Sequence, residues 1–334
     1  MLYASESEIK GDTAIEISQS TKATFLNSCL YGTYDLTFFL ELDKKKALAA
    51  IETEFNETTS LNAESVKEER ARFFKVSNTC ADDYAQQVIE VSKGKYVLAG
   101  IRHVDANLEK PFIHIWPNFV IQYKEQLHEI ANISSQVFSK FAPKHISVWL
   151  NPVSALAQDV EKEITPNLRY MAGYAQDVRS LSFPKHYEAL TLKRVQESNY
   201  YEWYEDIYRA FHRECPELKN WVPTNDFEDM ENSRRQGLLY YALHDDQKVG
   251  IIAGEERSLL GESGVYFIEI LLDKTMRGKG FAPVLQRQFI ENLDHSYELI
   301  WGTIDAHNIP STKTSLKTGR HAVRAEYFIP IFER

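Results

Sequence analysis

Arg277-Gly278-Lys279-Gly280-Phe281-Ala282 places two cations and two glycines within six residues, directly ahead of a helix-like pattern. The first N–H groups of a helix have no intrahelical acceptor, and the helix dipole adds partial positive charge, so a turn of this kind is an anion site. Arg277 and Lys279 add full charges. Gly278 and Gly280 keep bulk away, and Ala282 is small enough to let a pyrophosphate approach the backbone. Eight residues before Arg277, Glu269 interrupts the apolar run Phe267-Ile268-x-Ile270-Leu271-Leu272. Facing a half-buried cleft, its carboxylate would have a raised pKa and draw a proton directly or through water. On the strand's outer face it would be a solvated residue. Alternation does not separate the two faces, because the residues on both sides are apolar.

The surrounding elements must position this pair. "YEALTLKRV" reads as a strand, and "LLYYALHDDQKVGIIAGEE" as two strands folded at Asp245-Asp246 into a hairpin. "GVYFIEILLD" is the next strand. "YYEWYEDIYRAFHREC" and "NDFEDMENSRRQG" carry helical periodicity, the second opening on an Asn-Asp cap. After the glycine turn, Pro283 suits a first helical turn, and Leu285, Phe289 and Leu293 make one buried face. "YELIWGTID" is then a strand, "IPSTKTSLKTG" a short helix closed by Gly319, and "EYFIPIF" a last strand. From 187 to 334 the order is β-α-α-β-β-β-α-β-α-β.

At 334 residues, with 43% hydrophobic and 26% charged positions, two globular domains are expected. Lys and Arg total 38 against 48 for Asp and Glu, a net charge of -10 that repels a polyanion, so nucleic acid is not an expected partner. The same sign mildly favours an amine or other cationic substrate. Cys29, Cys80 and Cys215 are far apart and lack metal spacing, which reads as reduced thiols in a cytoplasmic protein. "MLYASESEIKGD" has no basic or apolar leader segment, and no window approaches a membrane span. A cytosolic protein without membrane attachment is expected.

A search for repeats relates the two halves. "KPFIHIWPNFVIQYKEQL" (110–127) lies about one domain length before "VYFIEILLDKTMRGKGFA" and shares Phe-Ile-x-Ile, aligning His114 with Glu269. "KYVLAG" resembles "KVGIIAG". Asn151 and Ser154 in "ISVWLNPVS" mirror Asn308 and Ser311. A tandem pair follows, joined through "RSLSFPKHYEAL". His103, His114 and His128 fit no common ligand spacing, so no metal is expected. "ETEFNETTSLNAESVKEER" reads as a charge-rich helix or loop with a solvated face.

The glycine turn, placed after "FIEILLD" and before an amphipathic helix, resembles the acyl-CoA signature of the GNAT superfamily of N-acyltransferases, and residues 187–334 follow that family's element order. A dinucleotide fold fits less well: the turn follows antiparallel-type strands, and no ribose-binding acid comes after it. The resemblance implies an α/β (α+β) chain of tandem GNAT-like domains, each a mixed central sheet flanked by helices. Residues 1–180 would be a degenerate copy and 187–334 the N-acyltransferase domain, with two splayed strands holding acyl-CoA. It implies pyrophosphate on the amides of Gly278, Lys279, Gly280, Phe281 and Ala282, with pantetheine along Leu271, Leu272 and Asp273. Asn308, with Ser311 three places on, would bind the cofactor's pantetheine or adenylate side.

The implied reaction moves an acetyl or short acyl group from acetyl-CoA to an amine acceptor by direct attack, with Glu269 as base. An N–H near Leu271 or Leu272 would meet the oxyanion. Where the family often has a tyrosine acid, this chain has Ser315. Tyr327, Tyr266 and His307 are the substitutes considered, each with an ordinary packing or surface role as its alternative. A thiolate of pKa ~8.5 leaves without strong help. In the first half, Gln122-Tyr123-Lys124-Glu125-Gln126-Leu127 stands in the turn's place. Glu125 and Leu127 bring charge and bulk there, so that half is expected not to bind acyl-CoA but to pack and shape the acceptor cleft. A non-catalytic acyl-CoA-binding or regulatory module is the alternative function.

Overall fold

The computed structural model describes residues 17–219 and 222–332, so the opening segment read above for a leader lies outside the described residues. Two compact units form: one runs up to Asn167 and resumes at Arg324, the other spans Leu168–Val323. The first contains α1 (Gln19–Thr33), α2 (Lys44–Ser60), α3 (Glu64–Phe74), β1 (Gln87–Ser92), β2 (Lys95–His103), β3 (Pro111–Pro117), α4 (Lys124–Val137), β4 (His145–Leu150) and α5 (Ala155–Val160). The second contains β5 (Leu168–Tyr174), α6 (Ala175–Ser180), β6 (Thr191–Arg194), α7 (Tyr200–Glu214), α8 (Phe227–Arg235), β7 (Leu239–His244), β8 (Gln247–Glu256), β9 (Gly264–Leu272), α9 (Phe281–Asn292), β10 (Leu299–Asp305) and α10 (Ile309–Lys317). The last strand, β11 (His321–Pro330), pairs within the first unit.

Every element expected after residue 187 forms, in the expected order. Asp245 and Asp246 both take positive φ, as the two-residue hairpin turn requires. Strand order is β1-β2-β3-β4-β11 in the first unit and β5-β10-β9-β8-β7-β6 in the second. In each unit the pairing is mixed, antiparallel except for β3 beside β4 and β10 beside β9.

The compact units divide at 167/168 and 323/324 rather than in the join at 179–190. Pairing is the reason. β5 lies antiparallel to β10 from Leu299↔Tyr174 to Asp305↔Leu168, and β11 antiparallel to β4 from Ala325↔Leu150 to Pro330↔His145. Each unit's pairing is therefore completed by the strand that follows the other half's last helix, and the edges of β4 and β10 do not go unpaired there.

Two parallel ladders have the same length. β3 and β4 share three rungs ending at His114↔Ser147, and β9 and β10 share three ending at Tyr266↔Trp301. Counted from these rungs, His114 stands level with Tyr266, not with Glu269. β9 is two residues longer than β3 and carries a bulge, so the sequence match slips against the ladder.

In the second unit, one sheet face packs Val265, Phe267 and Leu272 against Val284, Leu285 and Phe289 of α9. The other packs Ile251, Ala253 and Leu271 against Tyr204 and Tyr208 of α7 and Met230 of α8. In the first unit, Ile113, Ile115, Ile146 and Val148 pack on Leu127 and Ile130 of α4. The charge-rich segment is helical in α2 and α3 and buries Phe55 and Lys67. Among the described residues, no helix is long and apolar enough to cross a membrane.

Arg324 in β11 is 1% exposed, lies 3.0 Å from both carboxylate oxygens of Glu54 and sits over the rings of Tyr34 and Trp149. Arg324→Ala should leave Glu54 without its cation and cost about 3 kcal/mol in urea unfolding. A loss under about 0.5 kcal/mol, the scale of a neutral surface change, would contradict this packing.

Candidate functional site

Gly278 and Gly280 adopt φ of +72° and +87°, and a Cβ at either would meet nothing within 4 Å. Left-handed backbone, not crowding by protein, is what requires glycine here. Gly280 caps α9 without any side-chain cap, so the helix opens on bare amides. Among the described residues, the N–H groups of Gly278, Lys279 and Gly280 donate to no backbone carbonyl or side chain, whereas those of Met276 and Arg277 close back on Asp273 O. The side chain of Asp273 also turns inward, accepting from the N–H and hydroxyl of Thr275. Arg277 donates through Nε to Leu272 O at 2.7 Å, lies over the Phe211 ring and approaches Glu214, so it braces the turn against α7. Lys279 is exposed, Phe281 buried and Ala282 half-buried.

β9 supplies the other half of the site by leaving β10. Beyond Tyr266↔Trp301 the two strands share no further rung, while β9 stays on β8 to Leu272↔Gly250. Asp273 N–H donates to Val249 O at 2.8 Å, which fixes the alternation along β9. The backbone groups of Leu271 therefore face β8. Those of Ile270 and Leu272 face the side from which β10 has departed. Of the two oxyanion positions expected from sequence, Leu272 presents its N–H to that side and Leu271 does not.

A bulge decides where Glu269 points. Ala253 pairs with Glu269 and Gly254 with Phe267, leaving Ile268 as the extra residue. Phe267 packs toward α9, Ile268 toward α7, and Ile270 again toward α9. Glu269 thus shares the α7 face with Ile268 and is only 6% exposed. Its Oε2 accepts from the hydroxyls of Tyr204 (2.6 Å) and Tyr208 (2.9 Å) and from Asn225 Nδ2 (3.1 Å). Its Oε1 accepts from Ile270 N–H at 2.8 Å. Burial pushes the carboxyl above the ordinary glutamate range, and the Tyr204, Tyr208, Ile270 and Asn225 donors pull against that rise.

The other expected site residues divide clearly. Asn308 Oδ1 accepts from Ser311 N–H and so caps α10, and both residues are half-buried. Ser315 is fully buried on α10, and among the described residues its hydroxyl meets no hydrogen-bond partner. Tyr327 takes its packing alternative: it lies in the first unit's core, its hydroxyl donating to Glu161. Tyr266 shares a hydrogen bond with Thr303 and packs its ring on Trp301. His307 is exposed beside Asp305.

In the first unit, the side chain of Gln126 accepts from Gln122 N–H at 2.9 Å, occupying one amide at the start of α4, and Leu127 is buried. His103 stacks on Phe74, His114 meets Ser147 and His128 lies beside Phe332, three separate surroundings. Among the described residues no group of His, Cys, Asp and Glu is placed to hold a metal ion.

Tyr204, Tyr208 and Asn225 were not singled out from sequence. Tyr200, Tyr204 and Tyr208 recur every fourth residue on α7, a visible stripe that also describes ordinary core packing. Asn225 was read as part of the cap of α8, but Asp226 makes that cap and frees Asn225 to turn toward β9.

No family model matches the sequence. No curated protein matches it either. Similar solved structures include a GCN5-related N-acetyltransferase from Sphaerobacter thermophilus, 12% identical over 81% of this chain and 94% of that one, with a TM-score of 0.44. A GNAT-family acetyltransferase from Colwellia psychrerythraea is 10% identical over 79% and 96%, with a TM-score of 0.42. Arabidopsis thaliana Naa50, solved with a bisubstrate analogue, is 18% identical over 39% and 82%, with a TM-score of 0.31.

Two measurements check this geometry. Gly280→Ala should cost about 1 kcal/mol of stability, the strain of a left-handed alanine with no added clash; a loss of several kcal/mol would mean that the space before α9 is filled. Because the folded-state pKa of Glu269 is raised, the native protein holds its proton more tightly than the unfolded chain does. Stability from this group is present below the ordinary glutamate range and is lost as pH rises from there through the raised value. Glu269→Gln should therefore gain stability relative to wild type across that rise. A pH-independent difference in unfolding free energy would contradict the shift.

Proposed function

We propose that the second unit binds acyl-CoA and transfers an acetyl or other short acyl group to an amine. The observation that carries this reading is the run of unclaimed amides at Gly278, Lys279 and Gly280, set at the start of α9 beside a strand that has parted from its neighbour. Converging N–H groups at a helix start suit a diphosphate, and Lys279 adds a flexible charge. With Ile270 N–H given to Glu269 and Leu272 O taken by Arg277, what the outward edge offers an amide-bearing pantetheine arm is Ile270 C=O, beside the Leu272 N–H. Resemblance of the Arg-x-x-Gly-x-Ala turn to the acyl-CoA signature of GNAT enzymes points the same way.

Within this reading each residue has a role. Leu272 N–H meets the oxyanion that forms when the amine attacks the thioester carbonyl. Glu269, buried and raised, accepts the proton that the amine loses. Asn308 and Ser311 line the start of α10 on the cofactor's other side. No tyrosine stands at 315, so the thiolate, of pKa ~8.5, leaves without a dedicated acid. The first unit, lacking both glycines of the turn, is assigned no CoA site.

Ser315 favours one second reading, a module that binds acyl-CoA without turnover. Free-thiol release from acetyl-CoA, measured with amino sugars, polyamines, amino acids and peptide N-termini, separates the two. Transfer predicts thiol release that depends on one amine class and falls at least ~100-fold in Glu269→Gln. CoA binding without release for any amine would leave the module. Gly280→Glu should abolish calorimetric CoA binding in either case, and retained binding would overturn both.

A further inference from the structure

The tyrosines beneath Glu269 do more than join α7 to β9. Tyr204, Tyr208 and Asn225 all donate to the same oxygen, Oε2, at 2.6, 2.9 and 3.1 Å. A carboxylate oxygen offers about two lone-pair sites, so three donors fill it. Among the described residues Oε1 accepts one bond, from Ile270 N–H. That N–H belongs to the edge that β9 presents after parting from β10, so its bond draws Oε1 toward the same side as Leu272 N–H. The donors are themselves fixed. Asn225 N–H donates to the Tyr204 hydroxyl at 3.0 Å, Asn225 Nδ2 also reaches Ile268 O, and the Tyr201 hydroxyl donates to Asn225 O at 2.7 Å.

Resting on the acyl-transfer reading, we propose that Tyr204, Tyr208 and Asn225 are positioning residues that saturate Oε2 of Glu269 and leave Oε1 as the atom that takes the acceptor's proton. The amine nitrogen bonds to the thioester carbon while one of its protons passes to Oε1. The carbon–sulfur bond then breaks and the electron pair leaves on sulfur. The proton moves from Oε1 to the thiolate or to solvent, giving amide, thiol and the carboxylate again. The same three donors set the ionisation of Glu269. Burial works against its charge, and each donor to Oε2 works for it.

The test is a titration of Glu269 in protein labelled with carboxyl-¹³C glutamate, its signal assigned by loss in Glu269→Gln. Tyr208→Phe removes one donor without changing burial and should raise the Glu269 pKa by about one pH unit. Tyr204→Phe, which also releases Asn225, should raise it at least as far. The acid limb of thiol release against pH, measured with acetyl-CoA and the amine that turns over, should move upward by the same amount, with the plateau rate kept within about tenfold. A purely structural role for the tyrosines would lower the plateau and leave the limb in place. In an enzyme that turns over, an unmoved ¹³C titration, or a moved titration with an unmoved limb, overturns this assignment and spares the transfer reading. If no amine gives turnover although CoA binds, the two fall together.

Discussion

An N–H group that faces away from its own chain has to be answered by water, by a side chain or by something that arrives. In the second unit the turn from 278 to 280 presents such groups to open space, and two left-handed glycines hold them there. Everything proposed for the unit depends on that turn being a standing set of donors rather than a closed loop. Asp273 and Arg277 keep it so by spending their own hydrogen bonds inward, on Thr275, Val249 and Leu272, and leaving the next three amides unclaimed.

The parting of β9 and β10 after three rungs exposes a second row of backbone groups next to the first. The bulge at Ile268 is what sets a carboxylate beside that row, because one extra residue turns Glu269 onto the α7 face. A buried carboxylate without partners would be expelled or neutralised. Here α7 contributes two donors and the approach to α8 and β9 itself one each, so a residue that burial disfavours is kept in place with both oxygens engaged. The geometry that stabilises the group also limits which oxygen has room for a proton.

What was legible in the sequence was local. Glycines, Pro283, the Asp245-Asp246 turn and the four-residue spacing of Leu285, Phe289 and Leu293 act over a few residues, and they located the turn and every element after 187. What depends on pairing was not legible. The face of Glu269 follows from a bulge defined only against β8, and apolar neighbours on both sides conceal it. The partners of β5 and β11 lie more than a hundred residues away, and no local pattern marks them, so the split into halves missed the exchange of last strands. The same exchange puts Tyr327 in the first unit and removes it from the acid's candidates.

The two units carry the same sequence of antiparallel, antiparallel and three-rung parallel pairing, yet their helix starts differ in kind. At α4 a glutamine side chain takes up an amide; at α9, among the described residues, no side chain does. The contrast can be read directly by NMR, following the ¹⁵N–¹H signals of Gly278 to Ala282 and of Gln122 to Leu127 as CoA is added. Saturating downfield shifts of the first group, with the second unmoved, are the result expected here. Signals from 278 to 282 that stay in place at millimolar CoA would contradict the account.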